Sequence, residues 1–78
     1  MTLDVAPLEA ARELLGLSRH RLWEAYFELG GNSSPAEVGQ HLSGGPQLTR
    51  LEHDVLVHAL NEEFLDRDMN HPVPYSHP

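Results

Sequence analysis

Six histidines and twelve carboxylates in a chain of 78 residues raise metal chemistry first. Asp54, His58 and Glu62 recur at i, i+4 and i+8, with Asn61 beside them, so a helix would carry all of them on one stripe. Imidazole and carboxylate are ordinary ligands for zinc or iron. The same spacing also gives plain Asp–His and His–Glu pairs on a solvated helix face. The stripe lacks a second histidine four residues from His58, and His53 is expected to point elsewhere. It therefore reads as a polar face, with no metal and no cofactor expected. His71 and His77 fall near the C-terminus and are expected to be exposed.

Nucleophilic chemistry finds less support. There is no cysteine, which removes thiolate catalysis, thiolate metal sites and disulfides together. No serine sits in a G-x-S-x-G elbow, and Ser33-Ser34 is accounted for by helix capping. The carboxylates Glu62, Glu63, Asp66 and Asp68 cluster at one helix end and read as solvated. Gly30-Gly31 and Gly44-Gly45 follow no strand and lack the spacing of a phosphate loop. Enzymatic activity is not expected.

The elements that position these residues come from periodicity and breakers. Pro7 suits the first turn of a helix over 7–15, with Leu8, Ala11, Leu14 and Leu15 on one face and Gly16 as its stop. Ser18 caps a second helix over 18–29, whose apolar arc holds Leu22, Trp23, Ala25, Tyr26, Phe27 and Leu29. Ser34-Pro35-Ala36-Glu37 has the form of a capping box opening a third helix over 35–43. Thr49-Arg50-Leu51-Glu52 repeats that pattern and opens a fourth over 49–67, roughly 28 Å long at 1.5 Å per residue. Its apolar arc is wide: Leu51, Val55, Leu56, Val57, Ala59, Leu60 and Phe64. The predicted fold is all-α, a compact bundle of these four helices forming one domain over 1–68. Residues 69–78 follow as an extended, proline-rich tail whose Val73 and Tyr75 can dock on the bundle.

The formal charge is −7, and all five basic residues are arginine. Affinity for nucleic acid rests largely on neutralising phosphates, so this balance disfavours it, and disfavours anionic lipid as well. No apolar run approaches the roughly 20 residues that span a bilayer, and the N-terminus lacks a signal core. A cytoplasmic location is expected.

Residues 26–60 resemble the helix-turn-helix families of bacterial regulators. The likeness lies in Ser34-Pro-Ala-Glu-Val-Gly-Gln-His-Leu42 followed by Gln47-Leu-Thr-Arg50 opening the next helix. The resemblance implies Gln47, Thr49, Arg50 and His53 as base-contacting positions. Gly39 stands where a small alanine is more usual, the Gly44-Gly45-Pro46 connector is long, and Glu52, Asp54, Glu62 and Glu63 would face phosphates.

The leading expectation is a small acidic interaction module working through an apolar groove rimmed by acid. Its protein-binding residues would be Trp23, Phe27, Val57, Glu62, Leu65 and Tyr75. A basic protein partner or a second copy forming a homodimer would cover it, since a chain this short buries only about 60% of its unfolded surface. The aromatic residues Trp23, Tyr26 and Phe27 are expected to anchor the core together with Leu22, Val55, Leu56, Leu60 and Phe64.

Overall fold

The computed structural model describes residues 3–69 and 73–76. These residues fold as four helices, α1 (Ala6–Leu15), α2 (Arg19–Glu28), α3 (Pro35–Leu42) and α4 (Arg50–Asp66), and hold no strand among them. His71 and His77 lie outside the described residues.

Each helix begins and ends for a local reason. Pro7 sits in the first turn of α1, and the Ala6 N–H donates to Asp4 Oδ1 at 3.1 Å. α1 ends at Gly16, whose φ of 69° is costly for any residue with a Cβ. The Gly16 and Leu17 N–H groups turn back to the Glu13 and Arg12 carbonyls, the Schellman pairing that satisfies the last turn. Ser18 Oγ accepts from the Arg21 N–H to start α2. In α3 the capping box is complete: Ser34 Oγ accepts from the Glu37 N–H, and Glu37 Oε1 accepts from the Ser34 N–H. In α4 only half of the expected box forms. Thr49 Oγ1 accepts from the Glu52 N–H, but the Glu52 carboxylate takes the Asn32 N–H at 3.0 Å instead. That choice ties the α2–α3 loop to the head of α4.

α4 packs against both α1 and α2, and α3 closes on α2 and α1. The core gathers Leu8, Leu22, Tyr26, Val38, Leu56 and Leu60, all essentially without solvent contact. Only one of the three α2 aromatic rings anchors it. Tyr26 is fully buried beside Leu22, while Trp23 is half-buried and Phe27 is 55% exposed. Leu22 and Tyr26 form a single i, i+4 line, and Trp23 and Phe27 form the adjoining line, which turns outward. Likewise Leu14, Leu29 and Leu51 leave the faces assigned to them and meet solvent.

Two polar ties reinforce the packing. Glu9 accepts from Arg12 at 2.7 Å and from Arg19 at 2.7 Å, and Arg19 continues to Ser43 Oγ. One carboxylate thus links α1, α2 and the end of α3. Arg67 donates to the Leu15 carbonyl, joining the far ends of α4 and α1.

Tyr26 also fixes the loop after α2. Its hydroxyl accepts from the Ser33 N–H at 2.8 Å, and the ring lies directly against the Gly31 backbone. A Cβ at Gly31 would fall inside the ring. Gly31→Ala is therefore expected to cost about 2–3 kcal/mol in urea unfolding. At the end of α4 the sign reverses. Asp68 holds φ 55° in the position glycine usually takes, and it brings negative charge to a helix C-terminus. Asp68→Gly is expected to stabilise by about 1 kcal/mol in the same assay.

Candidate functional site

The stripe singled out for metal chemistry is real, but it is longer than three residues and has a different occupant. At 100° per residue, Arg50, Asp54, His58 and Asn61 share one side of α4, and all four bond residues 73–76. Asn61 uses both ends of its amide: Oδ1 accepts from the Val73 N–H at 2.7 Å and Nδ2 donates to the Val73 carbonyl at 3.1 Å. Asp54 uses both carboxylate oxygens, accepting from the Ser76 N–H at 2.8 Å and the Ser76 hydroxyl at 2.9 Å. His58 Nδ1 lies 3.3 Å from the Tyr75 hydroxyl, and Arg50 reaches the Ser76 carbonyl at 3.4 Å. The segment runs opposite to α4, pairing 73 with 61, 75 with 58, and 76 with 54 and 50.

This arrangement competes directly with metal binding. The second nitrogen of His58 pairs with Glu62 at 3.1 Å, so both ring nitrogens are engaged. Asp54 is buried, not solvated as a polar face would require, and its oxygens are directed at Ser76. Among the described residues no group of three or more histidine or acidic side chains is placed to hold an ion.

Beside the stripe lies an open apolar groove of about 330 Å³. Leu29, Leu51, Val55 and Tyr75 line it together with Asp54 and His58. Leu51 is 75% exposed there, and Leu29 and Tyr75 are also exposed. Of the predicted protein-binding residues, the structure brings Tyr75 and Glu62 together through His58. Trp23 and Phe27 pair elsewhere: the rings of His20, Trp23 and Phe27 stack in series along α2, at centroid distances of 5.7 and 5.2 Å. The Trp23 indole N–H is satisfied by the Ser33 carbonyl. Leu65 is exposed at the far end of α4. Val57 is fully buried in the core and is not a surface residue at all. Leu29, Leu51 and Ser76 are not among the residues the sequence singles out for a site, and Asn61 enters there only beside the stripe. The two leucines fall on the wide apolar arcs of their helices, which hides their exposure.

The four positions implied by the helix-turn-helix resemblance have other partners. Gln47 exchanges two long hydrogen bonds with the Leu3 backbone, at 3.4 Å each. Thr49 caps α4, and Arg50 reaches Ser76. His53 is 3% exposed and cannot reach a base edge. Its Nδ1 lies 2.8 Å from Nε2 of His41, which is wholly buried. The Leu48 N–H donates to His41 Nδ1 at 3.2 Å. That bond assigns the tautomers: His41 carries its proton on Nε2 and donates to His53 Nδ1, so both rings are neutral.

No family model matches the chain, and no curated protein or solved structure matches it. No helix among the described residues is long and apolar enough to cross a membrane.

Burial pushes both imidazoles below the ordinary histidine value of 6.5. The proximity of the two rings adds to the effect at His41, while Asp54 and Asp4 oppose it at His53. The unfolded chain consequently takes up protons before the folded one does. The stability conferred by the neutral pair is complete above about pH 6.5 and is lost as pH falls through the folded values. Glu9, held low chiefly by its Arg12 hydrogen bond, acts in a separate window, below the usual 4.5. Thermal melts are expected to lose several degrees between about pH 7 and pH 5. The loss should shrink in His41→Gln; equal slopes for the two chains would contradict the assignment.

Proposed function

We propose that this protein is a small acidic interaction module, a compact four-helix bundle that seats an apolar segment of a basic partner in the groove formed by Leu29, Leu51, Val55 and Tyr75. The observation that carries this reading is Leu51. It stands 75% exposed, beside two further exposed apolar side chains, over the half-buried Val55. Contiguous apolar surface left open on a small protein is characteristic of contact sites. The groove is lined in part by Asp54, and the chain has a formal charge of −7. Such a field steers a lysine- or arginine-bearing partner toward the groove and accelerates its association.

The helix-turn-helix reading has weaker support. Each of the five arginines already has a partner: Arg12 and Arg19 bond Glu9, Arg21 bonds Glu24, Arg50 bonds Ser76 and Arg67 bonds Leu15 and Glu63. A phosphate backbone would have to displace them in an acidic surround.

Leu51→Asp tests the proposal without disturbing the fold, because so exposed a site is expected to change stability by no more than about 0.5 kcal/mol. Partners captured by the wild-type chain should be lost with Leu51→Asp and retained with Leu65→Asp, a change at the far end of α4. Their association should slow as salt rises. Identical capture by all three chains would refute the groove. A partner surviving only as a second copy of the chain would replace the basic partner with a homodimer.

A further inference from the structure

We propose that the polar stripe of α4 is a peptide-binding site in its own right, that residues 73–76 are its resident occupant, and that it accepts in trans an extended segment with the same pattern: an aliphatic residue followed three positions later by a hydroxyl residue. The stripe adjoins the Leu51 groove and shares Asp54, His58 and Tyr75 with it, but Leu29 and Leu51 make none of the bonds involved, so the two sites are tested by different substitutions.

The spacing carries the argument. From Asn61 to Asp54 is seven residues of helix, about 10.5 Å of rise. From Val73 to Ser76 is three residues, and only a nearly extended chain covers that distance, at about 3.3–3.6 Å per residue. The bonds then sort into those that recognise any backbone and those that select side chains. Asn61 takes both the N–H and the carbonyl of one residue, as a neighbouring strand would, and Arg50 takes the last carbonyl. Selection comes from three places. Val73 is 5% exposed and joins the core, and with Ala11, Leu14 and Phe64 it lines a shallow apolar hollow. The Asp54 carboxylate accepts from both the amide and the hydroxyl of Ser76, which demands a serine or threonine there. His58 faces the Tyr75 hydroxyl. Pro74 suits the position between the anchors, since it has no N–H to satisfy and its ring favours extended backbone.

A tethered occupant competes at an effective concentration in the millimolar range, so the site in the wild-type chain takes a free peptide poorly. Weakening the tether's own anchors should open it. The probe is a fluorescently labelled hexapeptide with the sequence of residues 72–77, Pro-Val-Pro-Tyr-Ser-His, titrated into the full chain. Binding is expected to be at least about ten-fold tighter for Val73→Asp/Ser76→Ala than for wild type. It should vanish when Asn61→Leu is added, and the peptide with aspartate and alanine in place of its valine and serine should not bind. Circular dichroism and a cooperative melt report whether each variant keeps its helices. Ser76→Ala alone, which leaves the core untouched, carries the test if Val73→Asp does not fold. A folded, anchor-weakened chain that ignores the peptide would overturn the proposal. So would unchanged binding with Asn61→Leu, or a variant that pairs with itself in sedimentation and takes up no peptide, which would make a second copy the occupant.

Discussion

The hydrogen bond between His41 and His53 joins the first turn of α4 to the end of α3, in phase with the buried apolar line that fixes the helix rotation. His53 heads the buried line His53, Leu56, Val57, Leu60 and Phe64, at i, i+3, i+4, i+7 and i+11. With an imidazole facing the interior at the first turn, Leu51 must point to solvent and the Arg50–Asp54–His58–Asn61 side must meet residues 73–76. A buried imidazole is tolerable only if each inward nitrogen has a partner. The chain Leu48 N–H to His41 to His53 supplies those partners in one fixed direction. An apolar residue in place of His41 would leave the Leu48 N–H without its acceptor.

The helices were legible because their boundaries are written in short-range chemistry. Ser18, Ser34 and Thr49 each cap the helix they were expected to cap, and Gly16 stops α1. Rotation about the helix axis was legible only in part. In α4 the apolar residues cover so much of the circumference that several orientations bury similar areas, and counting apolar side chains favoured the one with Leu51 inside. The correct phase was present in the spacing, since His53 lies three residues before Leu56 and four before Val57. It is masked because histidine is not counted among apolar residues. The helix-turn-helix resemblance places His53 at a base edge and the polar spacing places Asp54 on a solvated face, and both residues are buried.

The stripe of Asp54, His58 and Glu62 shows a different limit. Its spacing correctly placed these residues together, yet spacing along one helix says nothing about what approaches from outside. The approaching residues, Val73, Tyr75 and Ser76, lie 12 to 26 positions away in sequence from their partners. Only the expectation that Val73 and Tyr75 dock gave a hint. Asn61 lies beside that stripe in the sequence, and its amide holds the Val73 backbone by both its polar groups, as the Gln47 amide holds Leu3 at longer range. A chain without disulfides uses such remote ties in their place, and the Glu9 carboxylate and Arg67 do the same for the helix ends.

Pro74 has an effect beyond shaping the backbone. A run of chain lying on a helix still has an outer rim, and a rim of free amides invites another molecule to add itself by strand pairing. Between the bonded amides of Val73 and Ser76, only Tyr75 could donate outward, because Pro74 has no amide hydrogen. One outward donor is a poor template for a ladder, so Pro74 disfavours the addition of a further strand along this segment.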